Sequence, residues 1–143
     1  MRERAWTERG TSSSDSIRVE PGTGTPEGPS ILLVEDDDDI RELMVTLLGM
    51  SGFHTSPCRT AEEGLEQLRE SPFDLVLTDY CLPRRTGGWL LKQASAEGLL
   101  DSTPALVVTA HPGPDETDGF EVIPKPFEAD ALVDRVRQLT THD

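Results

Sequence analysis

ILLVEDDDDIREL, residues 31–43, sets four aliphatic residues against five consecutive carboxylates and then resumes an apolar rhythm. With Ser30, the aliphatic run makes a continuous apolar segment of strand length, the pattern of a strand buried on both faces in a parallel sheet. Beyond the acids, Ile40, Leu43, Met44, Leu47 and Leu48 fall at i, i+3, i+4, i+7 and i+8. That spacing is one stripe of a helix, ending near Gly49 or Gly52. The stretch therefore reads as a buried strand, an acidic turn and a helix. Asp37, Asp38 and Asp39 suit the positive end of that helix, with Asp38 or Asp39 as its cap.

The same alternation continues outward. Residues 53–56 (FHTS) read as a weaker strand closed by Pro57, and Thr60 to Glu63 has capping-box spacing at the start of a helix whose inner face carries Ala61, Gly64, Leu65 and Leu68. Residues 73–78 (FDLVLT) form a third strand, 88–97 a helix stopped by Gly98, 105–109 (ALVVT) a fourth strand and 120–123 (FEVI) a fifth. Ala129, Leu132, Val133, Val136 and Leu139 mark a closing helix. Strands and helices alternating at these lengths predict an α/β fold, a parallel sheet covered on both faces. In residues 1–29, 15 positions are Gly, Ser, Thr or Pro, and beyond Met1 only Ala5, Trp6, Ile17 and Val19 are apolar. Such a segment buries too little surface to offset its ordering entropy, so 1–29 is expected to be a disordered tail and 30–143 the domain.

The formal net charge is -14, and the tail holds four basic residues against five acidic, so the acidity belongs to the domain. That balance argues against nucleic acid as a partner and for proteins or a small cation. No apolar stretch has the length of a membrane span or secretory signal, so the expected location is cytoplasmic with no membrane insertion. Cys58 and Cys81 form no CxxC pair and are read as free thiols.

In open parallel sheets, ligands bind outside the carboxyl ends of the strands. Here the first strand runs into Glu35 and Asp36, the third ends at Asp79, the fourth ends at Thr109 and the fifth runs into Lys125. Convergent carboxylates bind Mg²⁺, a hard cation. A carboxylate can attack a phosphoryl group when metal and ammonium neutralise the gathering charge, and a hydroxyl and a Lys can then hold the phosphoryl oxygens.

With VEDD (34–37), DYCLPRRTGG (79–88), VVTA (107–110) and PKPF (124–127) in order at strand ends, the chain from residue 30 to about 139 resembles a response regulator receiver domain, the phosphoacceptor module of two-component signalling. The resemblance implies a flavodoxin-like, doubly wound five-stranded sheet of order 2-1-3-4-5 and a cis peptide between Lys125 and Pro126. It implies Asp79 as phosphoacceptor, with Thr109 and Lys125 contacting the phosphoryl group. Glu35, Asp36, Asp79 and the main-chain carbonyl of Cys81 would hold Mg²⁺ (or Mn²⁺), Glu35 acting through water. A histidine kinase or histidine phosphotransfer protein would be the donor and a downstream protein the effector. The chain would catalyse only its own phosphorylation and dephosphorylation and is not read as an enzyme in the metabolic sense; its end shortly after Leu139 reads as a stand-alone receiver.

Two departures from the family stand out. Thr109 and Lys125 are 16 positions apart, about six residues fewer than receivers usually have, and Pro112, Gly113, Pro114 and Gly119 interrupt the interval. The helix between the fourth and fifth strands is therefore expected to be missing or vestigial, with output moved to the first helix and the loop around Arg84 and Arg85. Receivers usually carry Tyr or Phe three positions before the Lys; here that position is Val122, with Phe120 two residues earlier. Two other readings stand beside the primary one. A receiver-like interaction module working without phosphorylation is favoured by these departures. A Mg²⁺-dependent phosphatase of the aspartyl-phosphate type is opposed by Cys81, where such enzymes carry a second Asp.

Overall fold

The apolar runs of the three central strands are buried because their residues alternate between two covered faces. The computed structural model of the chain describes residues 28–110 and 119–141. In chain order they form β1 (Ser30–Val34), α1 (Asp38–Met50), β2 (His54–Cys58), α2 (Ala61–Glu70), β3 (Leu75–Asp79), α3 (Gly87–Ala96), β4 (Ala105–Thr109), β5 (Glu121–Pro124) and α4 (Ala129–Thr140). The five strands make one parallel sheet in the order β2-β1-β3-β4-β5, as the resemblance implies. Ile31, Leu33, Leu75, Leu77, Leu106 and Val108 point to one side, against Met44 and Leu48 of α1 and Leu132 and Val136 of α4. Leu32, Val34, Val76 and Val107 point to the other, against Ala61, Leu65 and Leu68 of α2 and Leu90, Leu91 and Ala94 of α3. These two layers cover both faces of the central strands and form the hydrophobic core.

The helix boundaries follow local chemistry. Thr60 accepts from the Glu63 N–H at 3.1 Å, and the Glu63 carboxylate accepts from the Arg59 N–H at 3.0 Å, so the expected box forms with its return bond one residue upstream. Gly52 (φ 95°) and Gly98 (φ 78°) lie two residues beyond α1 and α3, in the left-handed region that ends a helix. The cap of α1 is Asp37, whose side chain accepts from the Ile40 N–H at 3.1 Å, and not Asp38 or Asp39, which lie inside the first turn. Pro57 does not close β2 but sits within it, paired with Leu33. β2 is an edge strand, where a residue without an N–H is tolerated. On α1, Leu43 is 59% exposed, and Ala129 of α4 is exposed as well, so the sequence stripes are wider than the faces that pack. The expected tail at 1–29 lies almost wholly outside the described residues, and so does most of the interval in which a helix between β4 and β5 was expected to be missing.

Candidate functional site

Parallel strands put their carboxyl ends on one edge of the sheet, and β1 and β3 flank the point where the chain reverses direction across it. Glu35 follows β1 and is 2% exposed, while Asp79 closes β3 at 8%. Asp36, the next residue, is exposed. One carboxylate oxygen from each of Glu35, Asp36 and Asp79 lies within 4.8 Å of the others. Lys125, brought in by β5, donates from Nζ to Glu35 Oε1 at 2.9 Å and to Asp79 Oδ2 at 3.1 Å. The Lys125–Pro126 peptide is cis, as expected.

Further bonds hold these groups. The Cys81 N–H donates to Asp79 Oδ1 at 3.3 Å, and the Cys81 side chain is exposed. The Asp37 N–H donates to Glu35 Oε2 at 3.1 Å. Thr109 is buried at the end of β4, whose Val108 pairs with Asp79, and its carbonyl accepts from the Lys125 N–H at 2.8 Å. Gly87 opens α3 against the backbone of Asp79, and its N–H donates to the Tyr80 carbonyl at 2.8 Å. Sequence reasoning did not single out Arg41, which donates from a guanidinium nitrogen to the Glu35 carbonyl at 2.9 Å. Its only signal is a basic residue two positions beyond the acidic run.

The electrostatics follow from one ammonium shared between two carboxylates. Burial raises the Glu35 pKa above the usual carboxylate range, although the bonds from Lys125 and the Asp37 N–H oppose it. Burial alone would lower the pKa of Lys125, but its bonds to Glu35 and Asp79 outweigh that and hold it above its ordinary value. Half a share of the ammonium does not offset desolvation at Glu35, whereas two carboxylates more than offset it at Lys125. Three clustered oxygen donors, two of them buried and partly neutralised by a lysine, fit a hard divalent cation. Val122 pairs with Val107 and is half-buried; Val122 and Phe120 both pack on the layer under α2 and α3.

The family model of the response regulator receiver domain matches residues 31–137. The transcriptional regulatory protein DltR of Streptococcus agalactiae is 36% identical over 116 residues, covering 77% of this chain and 51% of DltR, so the chain spans about half the length of that relative. The response regulator receiver protein CpdR of Brucella abortus is 31% identical over 113 residues, covering 76% of this chain and 94% of CpdR. Among solved structures, the receiver domain of the hybrid histidine kinase CckA matches with a TM-score of 0.68 and 30% identity, covering 78% of this chain and 99% of that one. Among the described residues, no helix is long and apolar enough to cross a membrane.

Proposed function

The chain belongs to the response regulator receiver family, and from that premise we propose that it accepts a phosphoryl group on Asp79 from a histidine kinase or histidine phosphotransfer protein and signals by contact with a downstream protein. One observation carries the reading: the carboxylates of Glu35, Asp36 and Asp79 converge within 4.8 Å while the Lys125 ammonium bridges Glu35 and Asp79. Glu35, Asp36, Asp79 and the Cys81 carbonyl would hold Mg²⁺ or Mn²⁺, which supplies positive charge against the incoming phosphoryl oxygens.

The work left to the chain is positioning. A carboxylate oxygen of Asp79 bonds to phosphorus as the phosphorus–nitrogen bond of a phosphohistidine breaks, and the imidazole nitrogen leaves with the electron pair and takes up a proton. The Cys81 N–H and Lys125 fix the Asp79 carboxylate before reaction. Lys125 then exchanges its contact with Asp79 for a phosphoryl oxygen, and the Thr109 hydroxyl holds another. The later loss of phosphate is hydrolysis of the chain's own acyl phosphate, so we assign it no metabolic substrate. On α1, Leu43 at 59% and Met50 at 83% exposure offer an apolar edge to a protein partner.

A second reading, an interaction module that works without phosphorylation, draws support from Val122, which has no ring to reorient. Intact-mass measurement after incubation with a small phosphodonor and Mg²⁺ separates the two. We expect a gain of one phosphoryl group that chelation or Asp79→Asn abolishes. No gain with either a small donor or a phosphorylated histidine kinase overturns the proposal in favour of the second reading.

A further inference from the structure

Five consecutive carboxylates at the mouth of a site repel one another, so some group must hold their backbone in the conformation that converges Glu35 and Asp36 on Asp79. Glu35 is fixed on one side by its N–H, which donates to the Cys58 carbonyl of β2 at 3.0 Å. Its carbonyl belongs to the peptide joining it to Asp36, and the orientation of that peptide sets the direction in which the Asp36 side chain leaves the backbone. The group bonded to this carbonyl is the Arg41 guanidinium, at 2.9 Å. The other terminal nitrogen of Arg41 is paired with the Asp38 carboxylate, and the Arg41 N–H donates to the Asp37 carbonyl at 2.9 Å. One side chain, only 12% exposed, thus grips the loop at both Glu35 and Asp38. Arg59 approaches the same Asp38 carboxylate at 3.4 Å, so the charge that most needs balancing on the outer side of the loop has two arginines beside it.

We propose that Arg41 is a positioning residue for the cation site: it holds the Glu35–Asp36 peptide so that both carboxylates are directed inward, and draws Asp38 away from the site. The inference rests on the reading of Glu35, Asp36 and Asp79 as the cation ligands. Arginine suits the task because its rigid fork bonds a carbonyl and a carboxylate at once. Lysine, with a single ammonium on a flexible stem, can neutralise Asp38 or bond the Glu35 carbonyl but cannot hold both in fixed relation.

The test is calorimetric titration of the full chain with Mg²⁺, at a temperature where circular dichroism shows every variant folded. Partners that orient metal ligands typically change metal affinity by about 10- to 100-fold, so Arg41→Ala should raise the Mg²⁺ Kd by about tenfold or more. Arg41→Lys should recover part of that loss. Met44→Ala truncates the core side of the same helix, lowers the unfolding midpoint and should leave the Kd within about twofold of the starting protein. If Arg41→Ala does not fold, Arg41→Lys against Met44→Ala carries the comparison, and a weaker site in Arg41→Lys alone supports the proposal. A Kd unchanged in the Arg41 variants, or weakened as much by Met44→Ala, overturns it. An unsubstituted chain that binds no Mg²⁺ would instead remove the cation-site reading itself, and this inference with it.

Discussion

A methyl group added at Gly87 should damage stability and phosphoryl transfer together, because this residue touches the backbone of Asp79. A Cβ built there would lie 2.1 Å from the Asp79 carbonyl oxygen, 3.0 Å from its carbonyl carbon and 3.1 Å from Thr78 Oγ. A carbon does not approach a carbonyl oxygen so closely, so the start of α3 or the end of β3 must move by about 1 Å, and neither is free to move in a close-packed interior. Overpacking costs about 1–3 kcal/mol, and the Gly87 N–H bond to the Tyr80 carbonyl, worth about 0.5–1.5 kcal/mol, is strained or lost with it. The expected loss for Gly87→Ala is therefore about 2–4 kcal/mol, a large share of the roughly 5–15 kcal/mol typical of a domain. Thermal unfolding should show it as a midpoint lowered by about 10–20 °C. An Asp79 displaced by about 1 Å should also take up phosphate from a small donor on the order of 100-fold more slowly, measured by intact mass at a temperature where the variant is folded. Gly49→Ala is the internal comparison: nothing lies within 4 Å of a Cβ at this exposed helical position. It should be neutral or stabilising by up to about 1 kcal/mol. A Gly87→Ala protein with an unchanged midpoint and an unchanged rate would refute the reasoning.

Two further outcomes follow from burial. Desolvation, with a smaller contribution from Glu63, pushes the Cys58 thiol up to about 12, whereas the Cys81 side chain is exposed. Alkylation at pH 8 should therefore modify one thiol, Cys81, in the native protein and both only in denaturant; peptide mass mapping that finds Cys58 labelled natively would contradict this. Burial also raises Glu35 above its ordinary value of 4.5, so the folded state holds that proton more tightly than the unfolded chain. Stability then falls as pH rises from about 4.5 through the raised value, and the loss persists at neutral pH. Glu35→Gln, in chelator, should unfold at a higher temperature than the parent at pH 7, with the difference vanishing below about pH 4, and should bind Mg²⁺ more weakly. A lower midpoint for Glu35→Gln at pH 7 would show that the bond to Lys125 outweighs desolvation.

Much of the fold was legible because strand and helix leave different periods in the sequence. β4 spans 105–109 as expected, and α4 begins at Ala129, because in each case an apolar pattern starts or ends abruptly at a polar turn. Elsewhere the pattern was ambiguous for identifiable reasons. The third strand is Leu75–Asp79 rather than 73–78: Phe73 is buried like a strand residue but lies in the approach to β3, so its apolarity extended the apparent run. Proline lacks a donor and so reads as a stop at Pro57, a rule that loses force on an edge strand, and the position of β2 at the edge is a property of the assembled sheet. Which aspartate caps α1 depends on the one residue that remains extended at φ -76°, ψ 118° while the next turns helical, a choice five similar side chains do not reveal.

By itself the sequence determined the α/β class, the strand-end placement of Glu35, Asp36, Asp79, Thr109 and Lys125, and the family resemblance, because periodicity and residue type act locally and survive in a one-dimensional record. Only the tertiary structure decided that Lys125, 90 residues from Glu35 and 46 from Asp79, bridges both carboxylates, that Arg41 turns back onto the peptide between Glu35 and Asp36, and that Gly87 meets the Asp79 backbone. Each of these depends on which strands lie side by side and how closely their loops approach. That is a balance of burial, hydrogen bonding and charge among distant segments, which no local pattern records.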